Sequence, residues 1–235
     1  MQTKKTPAEI FLELSLNKNY PDITIIKKRG GYQLELKKRD MRFTLILDDY
    51  RSIIKQNKTH IFNKIFKNDN LNILDCTGGF ARDACIISSL GNKVTLIEEN
   101  PVISIILKNA INNIQSDPIK SIFDNISVKF GNSIDFIRQT DKHYDYIYFD
   151  FMFNVNKSAL PSKREQFLRK LTTNDIRINK EIIKETIQRT NCKIIIKEHI
   201  KSNDYKDLNI INIYKEKVVK YNLIDSKNGS QKVYK

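Results

Sequence analysis

Glycine is scarce in this chain, at seven residues in 235, and tryptophan is absent. A glycine pair therefore marks a position where backbone freedom is needed. The three cysteines, Cys76, Cys85 and Cys192, are scattered, with no CxxC pair and no histidine at metal-ligand spacing. Neither a disulfide framework nor a metal site is expected, and a reduced, cytoplasmic setting fits. No apolar run approaches the roughly 20 residues of a membrane helix, so no membrane association is expected. The opening MQTKKTPAEIFLELSL has a basic start but no extended apolar stretch and no small-residue cleavage site, so a secretory leader is not expected. Internal repeats and low-complexity linkers are lacking too. There is no GxGxxG and no P-loop lysine motif, which disfavours a pyrophosphate ligand and a nicotinamide dehydrogenase. None of His60, His143 and His199 has a serine, cysteine or aspartate partner at a recognisable spacing, so no histidine is assigned a catalytic role.

What is present is a substantial core and an excess of positive charge. Hydrophobic residues make up 40% and the net charge is +14. The charge is compatible with a polyanionic partner. The chain is also rich in Lys, Asn and Ile, a bias that raises lysine everywhere, so charge alone decides nothing. Residues 1–67 read as a small N-terminal strand and helix region. There YQLELKKRDMRFTLIL alternates polar and apolar residues and predicts a hairpin, and SIIKQNKTHIFNKIFK predicts a helix or a broken helix. Residues 68–235 change character. Short apolar runs (LNILDC, KVTLIEE, ISVKFGN, YDYIYFD, CKIIIKE) alternate with helix-like segments, which predicts a parallel sheet covered on both faces. LNIINIY and EKVVKYNLID read as two closing strands.

The chemistry gathers at the predicted strand ends. The first strand ends in Asp75, followed by Cys76-Thr77-Gly78-Gly79-Phe80-Ala81-Arg82-Asp83. Such a turn lets a ligand approach the backbone at a helix N-terminus. An ordinary tight strand–helix turn is the alternative. The second strand ends in Glu98-Glu99, about 20 residues further on, where an acid accepts the ribose hydroxyls of a nucleoside cofactor. S-adenosylmethionine (SAM) suits this pattern, because it carries a ribose and no phosphate. The third strand ends in Gly131-Asn132-Ser133, where the adenine edge would lie, and the fourth in Asp150-Phe151-Met152-Phe153. A carboxylate there can accept an N–H from an exocyclic amine, and the ring of Phe153 can stack the base. Equally, Asp150 could cap the next helix with Phe151 and Phe153 in the core. Lys157, Lys163 and Arg164 form a basic stretch beside this tip, placed for phosphates or simply solvated.

The segments LDCTGGFARDA, SLGNKVTLIEENPVISIIL, YIYFDFMF and KSAL, and more weakly CKIIIK, together resemble the bacterial SAM-dependent methyltransferases that modify guanine 1516 of 16S ribosomal RNA at N2. The resemblance runs from about Leu71 to Lys197. It implies a class I SAM-dependent methyltransferase fold: α/β, Rossmann-like, with a mostly parallel seven-stranded sheet and here a small N-terminal α+β appendage. It also implies SAM as cofactor and 16S ribosomal RNA or the small ribosomal subunit as partner. By position it places cofactor contacts on Arg82 and Asp83, Glu98 and Glu99, Asn132 and Ser133, and Asp150. These join Asp75 and Gly78, which the strand-end reading adds. Three features depart from the family pattern. Phe151 stands where the family has proline, Glu99 stands where it has arginine, and a glycine- and arginine-rich segment before the first strand is replaced by SIIKQNKTHIFNKIFK. Amine methylation of adenine in DNA or RNA, and RNA binding without turnover, are the competing expectations.

Overall fold

A computed structural model describes residues 19–28, 31–36, 41–55, 59–152 and 161–229. Phe153 and Lys157 lie outside the described residues. Three strands open the chain: β1 (Ile23–Lys28), β2 (Gly31–Leu36) and β3 (Met41–Thr44). They form an antiparallel sheet in that order, and Leu34 pairs with Phe43 in the predicted hairpin. The first of them was not expected from ITIIKK. The expected Ser52–Lys67 helix is broken into α1 (Arg51–Ile54) and α2 (Phe62–Ile65).

The main sheet is built from β4 (Asn72–Asp75), β5 (Lys93–Glu98), β6 (Ile126–Phe130), β7 (Tyr146–Phe149), β8 (Lys193–His199), β9 (Ile210–Lys215) and β10 (Val219–Asp225). Its order is β6-β5-β4-β7-β8-β10-β9. The first five strands pair in parallel, and β10 runs antiparallel to both of its neighbours. β4 to β8 are the five apolar runs and β9 and β10 the closing pair, so the mostly parallel α/β architecture is the one expected. Helices α3 (Arg82–Ser89), α4 (Pro101–Asn112), α5 (Asp117–Phe123), α6 (Ser133–Gln139), α7 (Lys163–Leu171) and α8 (Ile176–Arg189) connect the strands. Of these only α5, in the SDPIKSIF stretch, was missed.

Two apolar layers hold the sheet. One contains Phe62, Ile73, Ala84, Leu107 and Phe167, and the other Leu74, Ile147, Phe149, Ile183 and Ile196. Consecutive residues of β4 (Ile73 and Leu74) and of β7 (Tyr148 and Phe149) fall in opposite layers, as side-chain alternation along a doubly covered strand requires. Residues of the N-terminal region, Ile23, Leu34, Leu47 and Phe62, are buried in the first layer. All three cysteines are buried and unpaired. Among the described residues no helix is long and apolar enough to cross a membrane.

Candidate functional site

Backbone hydrogen bonding at the ends of β4, β5 and β7 builds one continuous edge. Gly78 donates its N–H to the carbonyl of Ile97 at 2.9 Å, which brings the glycine turn against β5. A side chain at Gly78 would collide there, because a Cβ would lie 2.3 Å from Leu96 Cδ2 and 2.9 Å from Ile97 O. Gly79 adopts φ +51° and Ala81 φ +58°, the left-handed conformations that swing the chain from strand to helix. Gly79 then donates to Glu98 Oε2 at 2.7 Å, while Oε1 accepts the N–H of Asn100 at 2.7 Å. Burial raises Glu98 to about 7, and the two backbone donors oppose that shift.

Asp75 turns back into its own loop. Its Oδ1 accepts the Thr77 N–H at 3.0 Å, and burial raises its carboxyl to about 7. The Thr77 hydroxyl accepts the N–H of Asp150 at 2.7 Å, so the tips of the first and fourth parallel strands are joined by one side chain. At the third tip, Asn132 caps α6 through Oδ1 and donates from Nδ2 to Glu99 Oε2 at 2.9 Å. Glu98 is therefore the inward acid of the pair and Glu99 the exposed one.

The fourth tip carries a charge cluster. Lys197 on β8 donates from Nζ to Asp83 Oδ2 and to Asp150 Oδ2, each at 2.7 Å. The Tyr148 hydroxyl donates to the same Asp83 oxygen at 2.6 Å. Burial works against ionising Asp83, but the Lys197 ammonium and the Tyr148 hydroxyl outweigh it and hold the carboxyl well below its usual range. Burial and the Asp83 charge outweigh Lys197 at Asp150, which is raised. The two carboxylates in turn overcome the burial of Lys197 and keep its ammonium above its ordinary value. Among the described residues the Asp150 side chain caps no helix and bonds Lys197 instead. Phe151 stacks on Phe149, with ring centroids 5.2 Å apart and 14° between planes, against the second apolar layer.

One cavity of about 820 Å³ collects these groups. Asp75, Gly78, Arg82 and Asp83 line it from the first turn, Glu98 and Glu99 from the second, Asn132 and Ser133 from the third, and Asp150 from the fourth. Arg164 reaches it from α7, whereas Lys163 at the start of that helix is exposed and outside the lining. Reading strand ends missed Lys197, Thr77, Tyr148 and Tyr20, all of which line the cavity. For Lys197 a signal was present: a lysine inside the apolar run CKIIIKE has to be paired once the strand is buried. Nothing in the sequence near Tyr20 flagged it. Its hydroxyl donates to Leu171 O and accepts from Asn100 Nδ2, both at 2.9 Å, so it bridges the start of α4 and the end of α7.

The donor set suits a nucleoside without phosphates. Acids stand at the second tip, a small polar pair at the third and a net negative cluster at the fourth, in a volume typical of small-molecule sites. Residues 27–224 match the family model described as "Putative SAM-dependent methyltransferase". The chain belongs to this family, and its cofactor is SAM. When bound, SAM supplies an electrophilic methyl group on a sulfonium centre.

Proteins called "Ribosomal RNA small subunit methyltransferase J" are similar to this methyltransferase. One, from Buchnera aphidicola, is 28% identical over 173 residues, covering 71% of this chain and 69% of its own. Another, from Pseudomonas aeruginosa, is 35% identical over 107 residues, covering 44% and 41%. A third, from Coxiella burnetii, is 31% identical over 133 residues, covering 56% and 51%. The matched stretches thus span about two thirds of the first relative and about two fifths and one half of the other two. The solved structure of a SAM-dependent methyltransferase from Neisseria gonorrhoeae has the same fold, with a TM-score of 0.72 at 14% identity, covering 100% of this chain and 98% of that one.

Proposed function

We propose that this methyltransferase modifies the exocyclic N2 amine of a guanine in 16S ribosomal RNA, at the position corresponding to guanine 1516, in the cytoplasm. The observation that carries the reading is the placement of the Asp150 carboxylate in the same cavity as Glu98 and Asn132. Asp150 accepts an N–H of the amine and orients its lone pair. Glu98 holds the cofactor ribose, with Asp75, Gly78, Arg82, Asp83, Glu99, Asn132 and Ser133 completing the cofactor shell. Phe153 stacks the target base, and Lys157, Lys163 and Arg164 hold phosphates. Residues 1–67 act as a small appendage to the catalytic domain formed by residues 68–235. The names of the relatives and the net charge of +14 support an RNA substrate.

The test is methyl transfer from labelled SAM to small-subunit RNA and to intact subunits from a strain lacking the modification, with the product nucleoside identified by mass spectrometry. N2-methylguanosine is expected. N6-methyladenosine would replace the substrate reading with the adenine alternative. SAM binding with no nucleoside modified would sink it.

A further inference from the structure

We propose that Lys197 is a positioning residue for methyl transfer, fixing one oxygen of Asp150 so that the other meets the substrate amine in a single orientation. The inference rests on the reading of Asp150 as the acceptor of an amine N–H. Asp150 is held at two points. Its backbone N–H is anchored on Thr77 Oγ1 at 2.7 Å, and its Oδ2 on Lys197 Nζ at 2.7 Å. No described residue donates to Oδ1, and the residue lines the cavity. Lys197 is itself immobilised, because Asp83 Oδ2 holds the same ammonium at 2.7 Å and Tyr148 steadies that oxygen at 2.6 Å. The ammonium that fixes Asp150 Oδ2 is therefore itself held from α3 by Asp83, which Tyr148 of β7 supports. An unanchored aspartate could rotate about its side-chain torsions and would give up part of the advantage of a fixed geometry.

The cluster also has a charge logic. Two carboxylates and one ammonium leave one net negative charge facing the cavity where a sulfonium cofactor binds. Without the ammonium, the two part-buried carboxylates would share a proton instead, and Tyr148, which still donates to Asp83 Oδ2, favours its residing on Asp150. A protonated Asp150 no longer serves as an acceptor. The titratable groups whose charges couple to it are Asp75 from β4, Asp83 from α3, Tyr148 from β7, Lys197 from β8, Tyr205 from the loop after β8, and Tyr221 from β10, while Arg82 of α3 lines the same cavity beside Asp83. Lys197 is the one cation among them paired directly with Asp150.

The experiment compares wild type, Lys197→Gln and Lys197→Arg in single-turnover methyl transfer to small-subunit RNA from pH 5.5 to 9, with SAM affinity measured by calorimetry. The expected result for Lys197→Gln is a single-turnover rate roughly tenfold to a hundredfold lower near neutrality. Its acidic limb moves to higher pH and SAM affinity changes by less than the rate. Lys197→Arg should keep the acidic limb at the wild-type position. A Lys197→Gln profile that superimposes on wild type overturns the inference. If Lys197→Gln loses SAM binding through misfolding, Lys197→Arg decides alone, and a displaced acidic limb in that variant overturns it. Wild type transferring no methyl group to RNA would instead remove the substrate reading, which separates the two failures.

Discussion

Glu98 accepts the backbone N–H of Gly79 at 2.7 Å, so the acid at the end of the second parallel strand is held by the glycine turn after the first. The bond orients a carboxylate that burial has raised to about 7. On the proposed assignment, ribose hydroxyls donate to the ionised form, so cofactor binding would favour ionised Glu98. Protonation on the acid side of about 7 then competes with SAM. The dissociation constant should rise toward tenfold per pH unit below that value, with a shallower dependence in Glu98→Gln. Near pH 8 the substitution should weaken SAM binding by about 2 kcal/mol, roughly thirtyfold. Calorimetry across pH measures both, and equal slopes for the two proteins would refute the assignment.

Gly78 is placed by contact rather than by backbone dihedral. Gly78→Ala forces a methyl group against Leu96 and the Ile97 carbonyl. It should cost about 1–3 kcal/mol of unfolding free energy and weaken SAM binding by opening the turn away from β5. Urea unfolding of the cofactor-free protein reads the first effect and calorimetry the second. Wild-type stability for Gly78→Ala would mean that the turn relaxes freely.

Tyr50 ties the N-terminal region to the glycine turn after β4. Its buried hydroxyl donates to Phe80 O at 2.7 Å, and burial pushes the phenol up to about 12. Tyr50→Phe leaves that carbonyl without this donor and should lower stability by about 1–2 kcal/mol. SAM affinity should fall by a smaller factor. Thermal melts with and without SAM separate the two effects.

By the resemblance noted in the sequence, Phe151 stands where proline is expected. Its ring stacks on Phe149, so Phe151→Pro should lower stability by about 1 kcal/mol. Proline restricts the backbone after Asp150, so the rate of methyl transfer should stay equal or rise. A large loss of rate in a protein that still binds SAM would show that this loop works differently from its relatives' loops.

Much of the site was legible because a parallel sheet brings strand ends to one edge. Asp75, Glu98, Asn132 and Asp150 follow apolar runs at regular intervals, and the fold carries them into one cavity without further information. Roles within a pair were less legible. Glu98 and Glu99 are indistinguishable as letters, and only the direction each side chain takes at the end of β5 makes the first buried and the second exposed.

Apart from β1 and α5, the sequence by itself determined the succession of strands and helices along the chain, the α/β class and the row of polar residues at the strand tips, since these follow from local periodicity and turn chemistry. Tertiary structure alone decided which distant groups meet at that row. Lys197 lies 47 residues beyond Asp150 and 114 beyond Asp83, yet it bonds both. Tyr20 reaches Leu171 across 151 residues. Such pairings depend on strand order and on the depth of each side chain in the sheet, and a buried charge is tolerated only where the folded chain supplies its partner.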